Sequence, residues 1–229
     1  MSQIIVITGT SKGIGQALAN YYSENGEIVI GCSRAESFIN HENYRHFSLE
    51  VNDEKAVIKM IRTVKKEFGK IDILLNNAGM ASMNHILTTS VSSVEKIFAT
   101  NFLGTFIFTR EVAKVMMKQK YGRVVNYTTV ASALRLEGEA IYAASKAAIE
   151  NFTQTSAKEL APFNITVNAI GPTPVQTDLI KAVPKYKIDE LLTKQAIKKF
   201  GQFDDIKNVI DFFISKKSDF ITGQIIYLG

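Results

Sequence analysis

Short β-branched runs alternate with longer stretches of helical period along the whole chain of 229 residues. That alternation confines the chain to a parallel sheet with helices packed on both faces. The extended runs fall at 3–8, 27–33, 44–49, 71–75, 123–128, 164–169 and 224–228, and the helical stretches at 13–25, 53–68, 91–119, 141–161 and 204–215. Most extended runs are continuously apolar, as strands covered on both faces are. The expected fold is therefore a doubly wound α/β sandwich built on a seven-stranded parallel sheet. No linker or repeat divides the chain, so residues 1–229 read as one domain. All four prolines lie between 162 and 184, and the stretch 173–200 is the least regular, which suits a lid or substrate loop.

Composition excludes several other classes. Hydrophobic residues make up 46% and charged residues 21%, which argues for a globular chain and against disorder. A single cysteine, Cys32, permits no intrachain disulfide. The net charge is +5, but basic residues come singly or in pairs such as Lys65-Lys66 and Lys216-Lys217, which gives poor support to nucleic-acid binding. The opening MSQIIVITGT lacks a cationic region and a long apolar core, and no stretch approaches a transmembrane span. No membrane association and a cytoplasmic location are expected. His41, His46 and His85 have no metal-ligand spacing, so no metal is expected.

The first extended run leads into Thr8-Gly9-Thr10-Ser11-Lys12-Gly13-Ile14-Gly15, and a helical segment follows at once. A strand, a glycine turn and a helix N-terminus in that order make an anion site, because glycine admits close backbone approach and free N–H groups favour negative charge. A plain tight turn uses glycines in the same way; order and position favour a Rossmann-type dinucleotide site. The second run ends Ser33-Arg34, with no carboxylate to take the ribose hydroxyls. Arg34 instead suits a 2′-phosphate, which favours NADP(H) over NAD(H), although a solvated surface cation would look the same.

Tyr142 and Lys146 stand at i and i+4 of a helix and share one face. A phenol titrating near ~10 exchanges protons poorly at neutral pH, and a nearby ammonium together with the positive charge of an oxidised nicotinamide would lower that value. Taken alone, the pair reads more simply as a packed tyrosine beside an exposed lysine.

Further motifs change that weighting. Asn76-Asn77-Ala78-Gly79, Asn101, Tyr142-Ala143-Ala144-Ser145-Lys146, Asn168-Ala169-Ile170-Gly171-Pro172 and Ile221-Thr222-Gly223-Gln224 follow the glycine turn in order. Over essentially its whole length the chain resembles the short-chain dehydrogenase/reductase family, with the texture of the bacterial 3-oxoacyl carrier-protein reductases. The resemblance implies reversible hydride transfer between NADP(H) and a carbonyl or secondary alcohol. Tyr142 would be the proton donor, and Lys146 would lower its pKa and hold the nicotinamide ribose. Asn101 would hold a water linking the lysine to solvent. The family's catalytic serine falls on Thr129, thirteen residues before the tyrosine, with Ser132 as the substitute. The resemblance places the cofactor on Gly9, Ser11, Lys12, Gly13, Ile14 and Gly15 of the turn, with Arg34 at the ribose phosphate. Glu50 and Val51 would meet the adenine, and Asn77, Ala78 and Gly79 would line the middle of the site. Pro172, Val175 and Thr177 would meet the nicotinamide.

The resemblance also implies a homodimer or homotetramer paired through the helices near 91–119 and 141–161. The favoured substrate is a 3-oxoacyl thioester on an acidic carrier protein, with Lys120 and Arg123 contributing a basic surface near the mouth of the site. A sugar, steroid or polyol dehydrogenase, or a non-catalytic NADP-binding module for sensing or assembly, are the rivals. Pro172-Thr173 replaces the family's Pro-Gly, and Pro174 stiffens the same loop.

Overall fold

A computed structural model describes residues 2–175 and 185–229. Its centre is a parallel sheet of β1 (Ile4–Thr8), β2 (Ile28–Ser33), β3 (Tyr44–Ser48), β4 (Ile73–Asn76), β5 (Gly122–Tyr127), β6 (Ile165–Gly171) and β7 (Ile225–Tyr227). The spatial order is β3-β2-β1-β4-β5-β6-β7, the seven-stranded doubly wound arrangement expected from the sequence. The winding reverses between β1 and β4. Such a switch point opens a crevice beyond the carboxyl ends of those strands.

Period-2 alternation sends neighbouring residues of each strand to opposite faces. Ile4 and Val6 of β1 pack in one core with α2 (Glu54–Phe68) and α4 (Gly104–Gln119), through Val57, Met60, Phe108 and Val112. Ile5 and Ile7 pack in the other with α1 (Gly13–Glu24) and α8 (Phe203–Ile214), through Leu18, Ile206 and Phe213. Helix α2 shows why its boundaries are legible. The Asp53 side chain accepts from Ala56 N at 3.1 Å at one end, and Gly69 stops the other with φ +75°.

The remaining helices are α3 (Val91–Phe98), α5 (Val130–Leu134), α6 (Ala140–Leu160) and α7 (Lys185–Lys194). Two features correct the sequence reading. The stretch 91–119 is not one helix: a π turn at Ala99–Leu103 separates α3 from α4 and carries Asn101. A local widening of one turn leaves the apolar period on either side intact, so periodicity does not reveal it. β4 starts at Ile73 rather than at 71, because the Gln119 side chain takes both backbone groups of Ile71, accepting from its N at 3.3 Å and donating to its O at 2.6 Å. In the expected lid stretch 173–200 the described residues hold a helix, α7, and a bridge between Val175 and Gly201, while 176–184 lie outside the described residues.

Among the described residues no helix is long and apolar enough to cross a membrane, and no cluster of three or more His, Cys, Asp or Glu could hold a metal. The basic surface expected from Lys120 and Arg123 does not form at the mouth of the site. Both lie at the amino end of β5, opposite the crevice, and Arg123 is 3% exposed with its guanidinium 4.7 Å from the Tyr121 ring centroid.

Candidate active site

The glycine turn follows β1 directly and is clamped on both sides. Gly9 N donates to Cys32 O at 2.7 Å, and Gly9 has φ +78°, a conformation glycine adopts without strain. From the β4 side, Ala78 N donates to Thr8 Oγ1 at 2.9 Å, and Asn77 Nδ2 donates to Thr8 O at 2.9 Å and Gly9 O at 3.3 Å. The Asn77 motif thus holds the turn in shape. α1 begins at Gly13 with its first N–H groups free and its N-terminus at the crevice, the geometry that attracts phosphate.

One cavity of about 950 Å³ runs from this turn to α7, a volume suited to a cofactor together with a small substrate. Of the residues expected at the dinucleotide, Gly9, Ser11, Lys12, Gly13 and Ile14 line it at the turn. Arg34, Glu50 and Val51 line it beside β2 and β3, and Asn77, Ala78 and Gly79 line its middle. Pro172 and Val175 border it near α7, whereas Thr177 lies outside the described residues. Gly15 is set behind the wall, where it lets the turn and α1 approach each other.

Tyr142, Lys146 and Thr129 line the same cavity. Consecutive turns of α6 carry the first two, so the i, i+4 relation places them on one face, as expected. Lys146 is 4% exposed and donates from Nζ to Tyr127 O at 2.8 Å. Burial pushes its pKa down to about 8. Burial also pushes the Tyr142 phenol up to about 12, with the Glu139 carboxylate adding to the rise and a hydrogen bond from Thr129 opposing it. In the protein alone, Lys146 by itself does not bring the phenol down. The ammonium spends a hydrogen bond on a backbone carbonyl, and desolvation of the phenolate dominates.

Thr129 caps α5, accepting from Ala131 N at 3.3 Å, and its hydroxyl is the one brought to Tyr142. Ser132 Oγ lies within hydrogen-bond distance of both Thr129 O, at 2.9 Å, and the Glu150 carboxylate, and does not line the cavity. Asn101 also stands behind the wall. Its amide donates to Met80 O at 3.0 Å and Ser145 Oγ at 2.9 Å and accepts from Met80 N at 2.8 Å, so both of its protons are used within the protein. A Cβ on Gly79 would stand 3.4 Å from both Asn101 Oδ1 and Lys146 Nζ, so the 79–80 turn is seated directly against the lysine.

Sequence reasoning missed the far end of the cavity. Glu139, three residues before Tyr142 and so on its helical face, borders it, and burial raises its carboxyl pKa against the opposing effect of Lys187. Lys187 comes from α7 and donates to Glu137 O at 3.2 Å, tying α7 to the turn that starts α6. Thr173 is pinned by a hydrogen bond to Gln195 Oε1 at 2.6 Å. The spacing from Tyr142 was a readable signal for Glu139; nothing local announced Lys187.

Comparison with known proteins follows the same lines. Residues 9–228 match the family model described as enoyl-(acyl carrier protein) reductase. The 3-oxoacyl-[acyl-carrier-protein] reductase FabG of Staphylococcus epidermidis is 32% identical over 239 residues, which span 100% of this chain and 98% of that one. FabG of Escherichia coli is 29% identical over 99% of this chain and 96% of its own length. The solved structure of ElxO with NADP bound superposes with a TM-score of 0.90 at 29% identity, covering 99% of this chain and 97% of that one. A match from the glycine turn to the last strand, against relatives of nearly the same length, goes beyond shared architecture: the chain belongs to the short-chain dehydrogenase/reductase family of oxidoreductases.

Proposed function

We propose that the protein is an NADP(H)-dependent reductase that converts a carbonyl to a secondary alcohol and runs the reverse reaction as well. The observation that carries this reading is the placement of Tyr142 and Lys146 in the wall of a cavity whose other end holds the free N-terminus of α1, Lys12 and Arg34. The residues present fit such a cofactor: unpaired N–H groups for a diphosphate, exposed cations for a 2′-phosphate, and Lys146 for a ribose hydroxyl. When bound, the cofactor supplies the hydride. Tyr142 then donates its phenolic proton to the carbonyl oxygen, and the Thr129 hydroxyl bonds that same oxygen. Asn101 positions the 79–80 turn beside Lys146. The ElxO structures with NADP and with NADPH bound support the choice of NADP(H).

Measuring NADPH oxidation against a panel of carbonyls tests the reading, since a non-catalytic module would bind the cofactor without turnover. For the substrate, the reading favours a 3-oxoacyl thioester, supported by the FabG relatives. Glu139 and Lys187 at the substrate end favour a second class, a compact polar carbonyl such as a keto sugar. A kcat/KM for acetoacetyl thioesters no higher than for keto sugars or cyclic ketones would select the second. The reading includes a homo-oligomer paired through α4 and α6; within one chain the Phe106 and Phe152 rings hold these helices together edge-on at 6.2 Å, and Leu103, just before α4, is 41% exposed.

Arg34→Asp should raise the KM for NADPH by about 10- to 100-fold, the effect of losing a charged hydrogen bond of about 1.5–3 kcal/mol, and should improve the use of NADH. Equal use of both cofactors by the unmodified protein would sink the NADP(H) assignment.

The buried lysine sets a pH dependence. Lys146 has its pKa lowered to about 8, so it is charged below that pH and loses its proton as pH rises through it. Tyr142, raised to about 12, remains protonated over the same range. For carbonyl reduction, kcat/KM should therefore be flat below pH 8 and fall above it. Lys146→Arg, which keeps its charge throughout, should remove the falling limb even where it lowers the plateau. A profile that stays flat to pH 10 in the unmodified protein would contradict a charged-lysine requirement.

A further inference from the structure

β2 carries a glycine, Gly31, in the middle of an apolar run, where glycine weakens a strand. The space beside it explains the choice. A Cβ on Gly31 would stand 2.3 Å from Tyr44 Oη and 2.5 Å from Thr10 Oγ1. Through that gap runs a line of hydrogen bonds. Thr10 Oγ1 lies 2.8 Å from Tyr44 Oη, and Tyr44 Oη lies 2.8 Å from His46 Nδ1. His46 Nε2 lies 3.0 Å from Ala35 O and 3.2 Å from Ser33 Oγ, whose own proton goes to Ala35 O at 2.7 Å.

The chemistry of the ends orients the line. A backbone carbonyl only accepts, so in neutral His46 the proton sits on Nε2 and bonds Ala35 O. Nδ1 then accepts from the Tyr44 hydroxyl, which in turn accepts from Thr10. Thr10 is fully buried and belongs to the glycine turn, where its N donates to Cys32 O at 3.3 Å. Ala35 directly follows Arg34 at the end of β2. The line therefore couples the diphosphate turn to the turn that carries the cation for the 2′-phosphate. It also accounts for Ser33: at the position where an acid would select NAD, the hydroxyl is spent on holding Ala35 O.

We propose that His46 is a positioning residue for cofactor selection, holding the Ala35 carbonyl so that Arg34 is presented to a phosphate on the adenosine ribose. This inference rests on the NADP(H) reading above. His46 does not line the cavity and hydrogen-bonds neither Tyr142 nor Lys146, so its influence reaches the cofactor through Arg34 and leaves the chemical step alone.

Calorimetric binding of 2′,5′-ADP and of 5′-ADP tests it, because the two probes differ only in the 2′-phosphate. The unmodified protein should bind 2′,5′-ADP at least about tenfold more tightly. His46→Leu should reduce that preference by about fivefold or more and leave 5′-ADP affinity within about twofold. His46→Gln, which offers an N–H near the position of Nε2, should restore most of it. Should the leucine variant not fold, Tyr44→Phe keeps the ring but removes the hydroxyl that donates to His46 Nδ1 and braces the imidazole against Ala35 O, and it should shift the preference the same way. An unchanged preference in the variants, or an equal loss for both probes, would overturn the role of His46 while leaving the NADP(H) reading intact. No preference in the unmodified protein would overturn both.

Discussion

Tyr142→Phe lowers kcat for carbonyl reduction by about 10²–10⁴-fold, the usual contribution of a positioned general acid, and leaves NADPH affinity within a fewfold. The asymmetry follows from what the substitution removes. Phenylalanine keeps the ring that forms part of the cavity wall between Glu139 and Lys146, so the shape seen by the cofactor persists. Only the phenolic proton is lost. In the protein alone that proton is firmly held, because burial pushes the group up to about 12, and it is therefore present at neutral pH and available for donation. The same burial makes the reverse reaction, which needs the phenolate, the more demanding direction without help from a neighbouring positive charge. Stopped-flow NADPH oxidation with a turned-over carbonyl, paired with fluorescence titration of NADPH, separates the two effects. If the variant keeps more than about a tenth of the original rate, Tyr142 is not the acid.

The sheet was legible because burial on both faces makes most of its strands apolar throughout, and because a helix such as α2 ends on recognisable devices, Asp53 and Gly69. What escaped were places where one side chain overrides a pattern. Gln119 takes the backbone of Ile71 out of β4, and the π turn at Asn101 interrupts a stretch whose apolar period continues past it. Helix α5 has five residues, fewer than two turns, which no periodicity can register.

In the site, the legible residues were those whose chemistry fixes their spacing. A tyrosine and a lysine that act together must share a helix face, and a phosphate turn must bring glycines before a helix. Charge was read less well, since a cation at the surface and one lying on a tyrosine ring are the same letter in the sequence. Arg123 is the example: its 3% exposure over Tyr121 removes it from any docking surface. The upward shift of Tyr142 in the protein alone was not legible for a related reason. Proximity to Lys146 could be inferred from spacing, but the desolvation that outweighs it depends on the whole cavity. The Thr10–Tyr44–His46–Ala35 line joins β3 to the turn after β2 and to the first glycine turn, and only the odd glycine at position 31 marked its course.

Gly15→Ala provides a test in which local preference and packing point in opposite directions. Gly15 sits in the first turn of α1 without a positive φ, so alanine would be the better helix former by up to about 1 kcal/mol. Packing decides otherwise. A Cβ there would stand 2.3 Å from Gly9 O and 2.4 Å from Asn77 Nδ2, far inside contact distance. Neither neighbour can retreat freely, because Gly9 N is bonded to Cys32 O at 2.7 Å and Asn77 Nδ2 bridges to Thr8 O at 2.9 Å. Relief requires the glycine turn to part from α1, which opens the Asn77 clamp and spreads the N–H groups meant for the diphosphate. Overpacking of this kind costs about 1–3 kcal/mol, and forced backbone separation puts this site at the upper end. At about 2–4 °C per kcal/mol for a chain of this size, Tm should fall by roughly 5–10 °C. Loss of the cradle should also weaken NADPH and NADH together by at least about tenfold, unlike the selective effect at Arg34. Gly26→Ala serves as the control, since its φ of +83° makes alanine strained while no atom lies within 4 Å of the added Cβ. That variant should lose about 1–2 kcal/mol of stability and keep its cofactor affinity. An alanine at 15 that leaves both Tm and cofactor affinity unchanged would mean that the turn yields freely and that close approach of α1 is not what shapes the phosphate site.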